Sequence, residues 1–173
     1  MSPAVHTLTL PGPMLQRGFW LYVWRVNTPR GEMLYVGRTG DSSSPHATAP
    51  YTRMGQHLGF AKASNSLRRL LLENDVEPEA CEAFDLVSFG PIFPEVSAEA
   101  GADRNERMKH HKPIRDTLAG LEKQLCDALH ASGYQVLNIV HSKKPVDAAL
   151  WADVRDAFAG HFPKLADLDE GVF

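Results

Sequence analysis

The densest apolar stretch is GFWLYVWRVN, residues 18 to 27, whose aromatic and β-branched residues read as a strand. It ends at a turn signal, Asn27-Thr28-Pro29-Arg30-Gly31. MLYVGRT (33 to 39) resumes as a second strand, so the two form a β-hairpin with a loop of several residues. Residues 40 to 50 are small, polar and proline-bearing, hence a loop. A short helix follows from Pro50, a good first-turn residue, to Gly59, a good stop. Ser64 or Ser66 caps a second helix with an apolar stripe of Leu67, Leu70 and Leu71.

CEAFDLVSFGPIF (81 to 93) reads as a third strand closed by Pro94. Residues 95 to 112 are polar and charged, a helical insertion or a mobile loop. Pro113 then opens the clearest helix: Ile114, Leu118, Leu121, Leu125 and Leu129 follow the spacing of a core-facing stripe, and Gly133 ends it. YQVLNIV (134 to 140) is too short to classify. Lys143 to Pro145 links to a last amphipathic helix with Leu150, Trp151, Val154 and Phe158 on one side. No internal repeat is evident. The order of elements predicts an α+β domain, a small central three-stranded sheet flanked by helices. The expected division is an N-terminal segment (1 to 17), a main domain (18 to 141) and a C-terminal helical extension (142 to 173).

Composition changes this picture little. A chain of 173 residues with 43% hydrophobic and 23% charged residues is ordinary globular material. The first fourteen residues hold three prolines and no long apolar stretch, so neither a signal peptide nor a membrane span is expected. Cys81 and Cys126 form no CxxC pair; they read as buried free thiols and imply a cytoplasmic setting. Charge matters more. The net charge is -3, whereas nucleic-acid binders are usually basic. Of 21 acidic and 18 basic side chains, six and two lie from Asp147 onward, so the tail is acidic and the rest close to neutral.

Tyr22 and Tyr35 sit on the paired strands, where tyrosine is common for structural reasons alone. Arg53 and His57 are one helical turn apart and share a face. Such a pair can grip phosphate oxygens and move a proton, or simply form a solvated surface. Glu122 lies about 50 to 60° off the centre of the leucine stripe, at the boundary of core and solvent. A carboxylate held there can reach a hard cation such as Mg²⁺, or snorkel to water. Asn138 can hydrogen-bond a phosphate or cap a turn. His110-His111 has no second pair at metal-binding spacing and reads as part of a solvated basic segment, in which Arg104, Arg107, Lys109, Lys112 and Arg115 can touch a DNA backbone.

The order of these residues is more telling than any one of them. WLYVW, then LYVGRTG, then RMGQH, then a helix with LEKQL, then VLN resembles the GIY-YIG nuclease family over residues 18 to 140. Tyr22 matches the tyrosine of the first half-motif and Tyr35-Val36-Gly37 the second, with Val for Ile. Arg53 matches the catalytic arginine, His57 a histidine found in part of the family, Glu122 the metal-binding glutamate and Asn138 the asparagine after it. Trp20 stands where the first half-motif has glycine. The gap from Tyr35 to Arg53 is longer than in compact members, and segments 40 to 50 and 94 to 112 look inserted.

The resemblance implies a GIY-YIG-like fold and metal-dependent endonuclease activity on DNA phosphodiester bonds. Glu122 would hold Mg²⁺ or Mn²⁺, and Arg53 would stabilise transition-state charge. Tyr22 would take the proton of the attacking water, aided by His57, with Tyr35 positioning water or phosphate. Arg38 would favour the Tyr22 phenolate, and Gly37 would allow close backbone approach. One such site cuts one strand, so double-strand cleavage would need a homodimer or two visits. Two alternatives stand beside this: a catalytically silent nucleic-acid-binding or protein-interaction module on the same fold, and an unrelated α+β enzyme with accidental matches.

Overall fold

The computed structural model describes residues 3–40, 44–96 and 103–168. Its elements are strands β1 (Gly18–Thr28), β2 (Gly31–Arg38) and β3 (Ala83–Pro94), and helices α1 (Pro50–Leu58), α2 (Ser66–Glu73), α3 (Arg104–Ala131) and α4 (Ala148–Ala159). The three strands form one antiparallel sheet in the order β2-β1-β3, flanked by the helices, and the fold is α+β as expected.

β1 is apolar almost throughout because it is the central strand and both its faces are covered. Phe19, Leu21 and Val23, with Leu34 and Val36 of β2, pack on Leu118, Leu121, Leu125 and Leu129 of α3 and Val154 and Phe158 of α4. On the opposite face Tyr22, Trp24 and Val26, with Met33, pack on Leu67 and Leu71 of α2. The helix of the C-terminal extension thus shares the core of β1, and Phe162 and Leu165 beyond it are fully buried there. The hairpin loop is tighter than its sequence suggested: Thr28 pairs with Gly31, leaving Pro29 and Arg30 between, and the Thr28 hydroxyl accepts from Arg30 N–H at 3.0 Å.

α3 begins nine residues earlier than expected. Pro113 does not open it but lies inside it, and residues 104 to 112 are its first turns, the helical one of the two readings given to that segment. The start is set by Asp103, whose side chain accepts from the Glu106 N–H at 2.9 Å. Pro113 removes one donor to Lys109, and both residues are exposed, so water can satisfy the freed carbonyl. His111 is not solvated: it is buried, with its ring 4.9 Å from that of Phe19. The portion of the expected insertion at 97 to 102 lies outside the described residues.

The N-cap of α2 is Asn65, with Ser66 as the first helical residue. Cys81 is only partly buried; Cys126 is buried, and both thiols are free. Segment 134 to 140 adds to the outer edge of β2 through a parallel bridge of Val136 with Leu34. Leu34 N–H donates to Gln135 O at 2.8 Å, and Leu137 N–H donates to Leu34 O at 2.7 Å. Among the described residues no helix is long and apolar enough to cross a membrane.

Candidate functional site

A cavity of about 230 Å³ opens beside the C-terminal end of β2, lined by Tyr22, Tyr35, Gly37, Arg38, Arg53, His57, Ser66 and Glu122. Five elements contribute. Seven of the eight residues singled out from the sequence meet there; Asn138 does not line it, and Ser66 was not foreseen as a site residue.

The sheet register builds the first part. Tyr22 of β1 lies opposite Gly37 of β2, and the two-residue period places Tyr35 on the same face. Gly37 has a more specific role than backbone approach. A Cβ there would lie 2.5 Å from Tyr22 Cε2 and 2.6 Å from its hydroxyl, so the missing side chain is the space the phenol ring occupies. Trp20 is buried beside Gly90 and does not line the cavity.

α1 brings Arg53 and His57 over this face, one turn apart. His57 is buried, and its Nε2 lies 2.6 Å from Tyr22 Oη. Its ring also lies 5.0 Å from the Tyr35 ring. Arg53 Nη1 donates to Gln56 Oε1 at 3.1 Å. Burial, then the Arg53 charge, lowers His57 to about 4, so the imidazole is neutral at neutral pH. Tyr22 moves the other way. Burial and then the neighbouring Tyr35 raise it well above its ordinary value, outweighing the opposing pull of Arg53. The bond is therefore between a neutral phenol and a neutral imidazole. We assign it as Tyr22 O–H donating to Nε2, which leaves the ring proton on Nδ1.

Tyr35 is likewise pushed up to about 12, by burial and then by the Glu122 charge, against a hydrogen bond from the Ser66 side chain. Burial thus outweighs the cations: Arg53 and Arg38 both pull Tyr22 toward its phenolate, as expected of Arg38, but desolvation keeps the phenol protonated. Arg38 Nε donates to Glu122 Oε2 at 2.8 Å, and Nη1 donates to Gly40 O at 2.8 Å. Glu122, carried by α3 between buried Leu121 and Leu125, is raised by burial, with Arg38 opposing. It sits at the core boundary, as its angle from the leucine stripe implied, with its side chain 16% exposed.

Asn138 is a scaffold residue here. Its Oδ1 accepts from Val36 N–H at 2.9 Å, and its Nδ2 donates to Val36 O at 2.8 Å. The amide mimics one more residue of a neighbouring strand, so both its polar ends face β2 instead of a phosphate. Ser66 was legible only as a capping candidate; its place against Tyr35 depends on the packing of α2 on the sheet. Arg104, Lys109, His110 and Lys112 are exposed on α3, and neither they nor Arg107 and Arg115 line the cavity.

With His57 and both tyrosines neutral, the lining carries two guanidinium charges against one carboxylate, which suits an anionic ligand. Among the described residues no three His, Cys, Asp or Glu side chains converge to hold a metal by themselves, and Glu122 is the single carboxylate of the lining. No protein-family model, no curated protein and no solved structure matches this chain.

Proposed function

We propose that this chain is a metal-dependent endonuclease of the GIY-YIG kind, hydrolysing DNA phosphodiester bonds in the cavity beside β2. The observation that carries this is convergence. Tyr22, Tyr35, Arg53, His57 and Glu122 span a hundred residues of sequence, matched the family's motifs in order, and line one 230 Å³ cavity. Random matches to a motif have no reason to share a cavity.

The donor set suits a hard cation. Mg²⁺ commonly takes one or two protein carboxylates and completes its shell with water and phosphate oxygens. Glu122 would hold Mg²⁺ or Mn²⁺ here; bound, the ion supplies charge neutralisation at the phosphate and at the leaving oxygen. Arg53 faces the same space and stabilises the extra negative charge of the five-coordinate transition state.

The proton inventory favours a relay over a standing phenolate. Tyr22 Oη takes a proton from the attacking water while its own proton passes to His57 Nε2 along the 2.6 Å bond. The water oxygen bonds to phosphorus as the bond to the leaving oxygen breaks, and solvent protonates that oxygen. Tyr35, kept neutral, donates a hydrogen bond to a phosphate oxygen or to the water. A single cavity cuts one strand, so double-strand cleavage requires a second protomer or a second visit. The two free thiols suit a reducing compartment such as the cytoplasm.

The test is cleavage of supercoiled plasmid and of single-stranded DNA with Mg²⁺ or Mn²⁺, against EDTA and against Glu122→Ala. Metal-dependent cutting that falls by about two orders of magnitude or more in the variant, with an unchanged circular dichroism spectrum, is expected. A folded protein that binds DNA but cuts neither substrate would make it the catalytically silent module instead, a reading its near-neutral body favours.

A further inference from the structure

We infer that Arg38 is a built-in counter-cation for Glu122, one that yields the carboxylate when a divalent cation binds and then turns to the substrate phosphate. This rests on the metal-dependent reading above and adds a competition between a residue and the ion.

Glu122 lies between buried leucines, where an uncompensated charge is costly, and Arg38 supplies the compensation through Nε on Oε2 at 2.8 Å. The two side chains are 20% and 16% exposed, so the pair is little screened by solvent. A hard dication seeks the same oxygens. It and the guanidinium repel each other across one carboxylate, so occupancy by either weakens the other.

The rest of Arg38 suits the second half of the role. A guanidinium has five N–H donors, of which Glu122 and Gly40 O take two, and the group lines the cavity. The Gly40 carbonyl tethers Nη1, so Arg38 can release Nε and stay at the cavity wall. Gly40 is fixed in turn: its φ is +77°, and a Cβ there would lie 2.6 Å from the Phe19 ring. Lysine, with a single ammonium, cannot hold the tether and the carboxylate in the same planar arrangement.

This predicts effects of opposite sign on two ligands. Arg38→Ala should bind Mn²⁺ about tenfold tighter than wild type, within the usual range of coupling between two ligands on one site. The same variant should bind a single-stranded oligonucleotide in Ca²⁺ more weakly. Both are measured at pH 8 by titration calorimetry and fluorescence anisotropy, with Arg38→Lys as a second variant and urea unfolding as the check on folding. Unchanged or weaker Mn²⁺ binding in folded Arg38→Ala and Arg38→Lys overturns the inference. Glu122→Gln separates this from the underlying reading. If Glu122→Gln abolishes Mn²⁺ binding and the Arg38 variants leave it unchanged, only the counter-cation role fails. If Glu122→Gln leaves Mn²⁺ binding unchanged, or wild type and Arg38→Ala bind none, the metal site itself fails, and this inference with it.

Discussion

Gly37→Ala is the smallest change that tests how the site is built. The added methyl would sit 2.5 Å from Tyr22 Cε2 and 2.6 Å from both Cζ and the hydroxyl, against ordinary carbon contacts of about 3.5 to 4 Å. The overlap is about 1 Å with a ring that is 1% exposed and packed among Trp24, Leu67 and Leu71, so relief requires the ring to shift against those neighbours. Overpacking of this kind costs about 1–3 kcal/mol, a fall in Tm of about 2–12 °C at this chain length. The ring that moves is also the one whose hydroxyl meets His57, so the proposed cleavage activity should drop together with stability. Urea unfolding of a double-mutant cycle isolates the contact. Tyr22→Leu alone should cost about 2–4 kcal/mol by leaving a cavity. Combined with Gly37→Ala it should cost less than the two singly, by about 1–2 kcal/mol, because Leu vacates the space the new methyl needs. Additivity within about 0.5 kcal/mol, or a Gly37→Ala variant as stable as wild type, would refute the account of Gly37 as ring space.

Two further outcomes follow from buried polar groups. His57 is lowered to about 4 in the fold, against about 6.5 unfolded, so between those values the unfolded chain binds the extra proton and stability is lost as pH falls. The full effect is about 3 kcal/mol below pH 4; acid unfolding of His57→Gln should lack that part, and an identical pH profile would contradict it. Asn138→Ala should destabilise by about 1–3 kcal/mol, because it strips partners from Val36 N–H and C=O. Urea unfolding that gives no loss would mean water replaces the amide without cost.

The sequence carried the elements well where hydrophobic period and turn chemistry agreed. Residues 18 to 38 contain a hairpin by both criteria, and the leucine stripe of α3 from Leu118 to Leu129 is buried where expected. It misled where two local signals competed. Proline at 113 resembles a first-turn residue, but Asp103 caps the helix earlier, and the intervening turns lack a leucine stripe because His111 fills a core position against Phe19. The candidate residues were legible as a set; their partners were not. Arg38 meets Glu122 across 84 residues and Asn138 meets Val36 across 102, distances over which local patterns carry no information. Protonation states were hidden for a related reason. Tyr22 shifts upward because it is buried, and burial is a property of the assembled sheet and helices.

β2 is an outer strand, and it carries Met33, Leu34, Tyr35 and Val36 in a row. Such a strand, left bare, is a template on which another chain can lay itself. Here the chain covers it with very little material: a single bridge at Leu34 and the side-chain amide of Asn138 at Val36. An asparagine can end this cover without prolonging a strand, because its two polar atoms satisfy a donor and an acceptor while its own carbonyl turns away to Cys126 and His130 of α3. Losing the amide would strip Val36 of both partners and leave that stretch of strand edge open to pairing with a neighbouring copy of the protein.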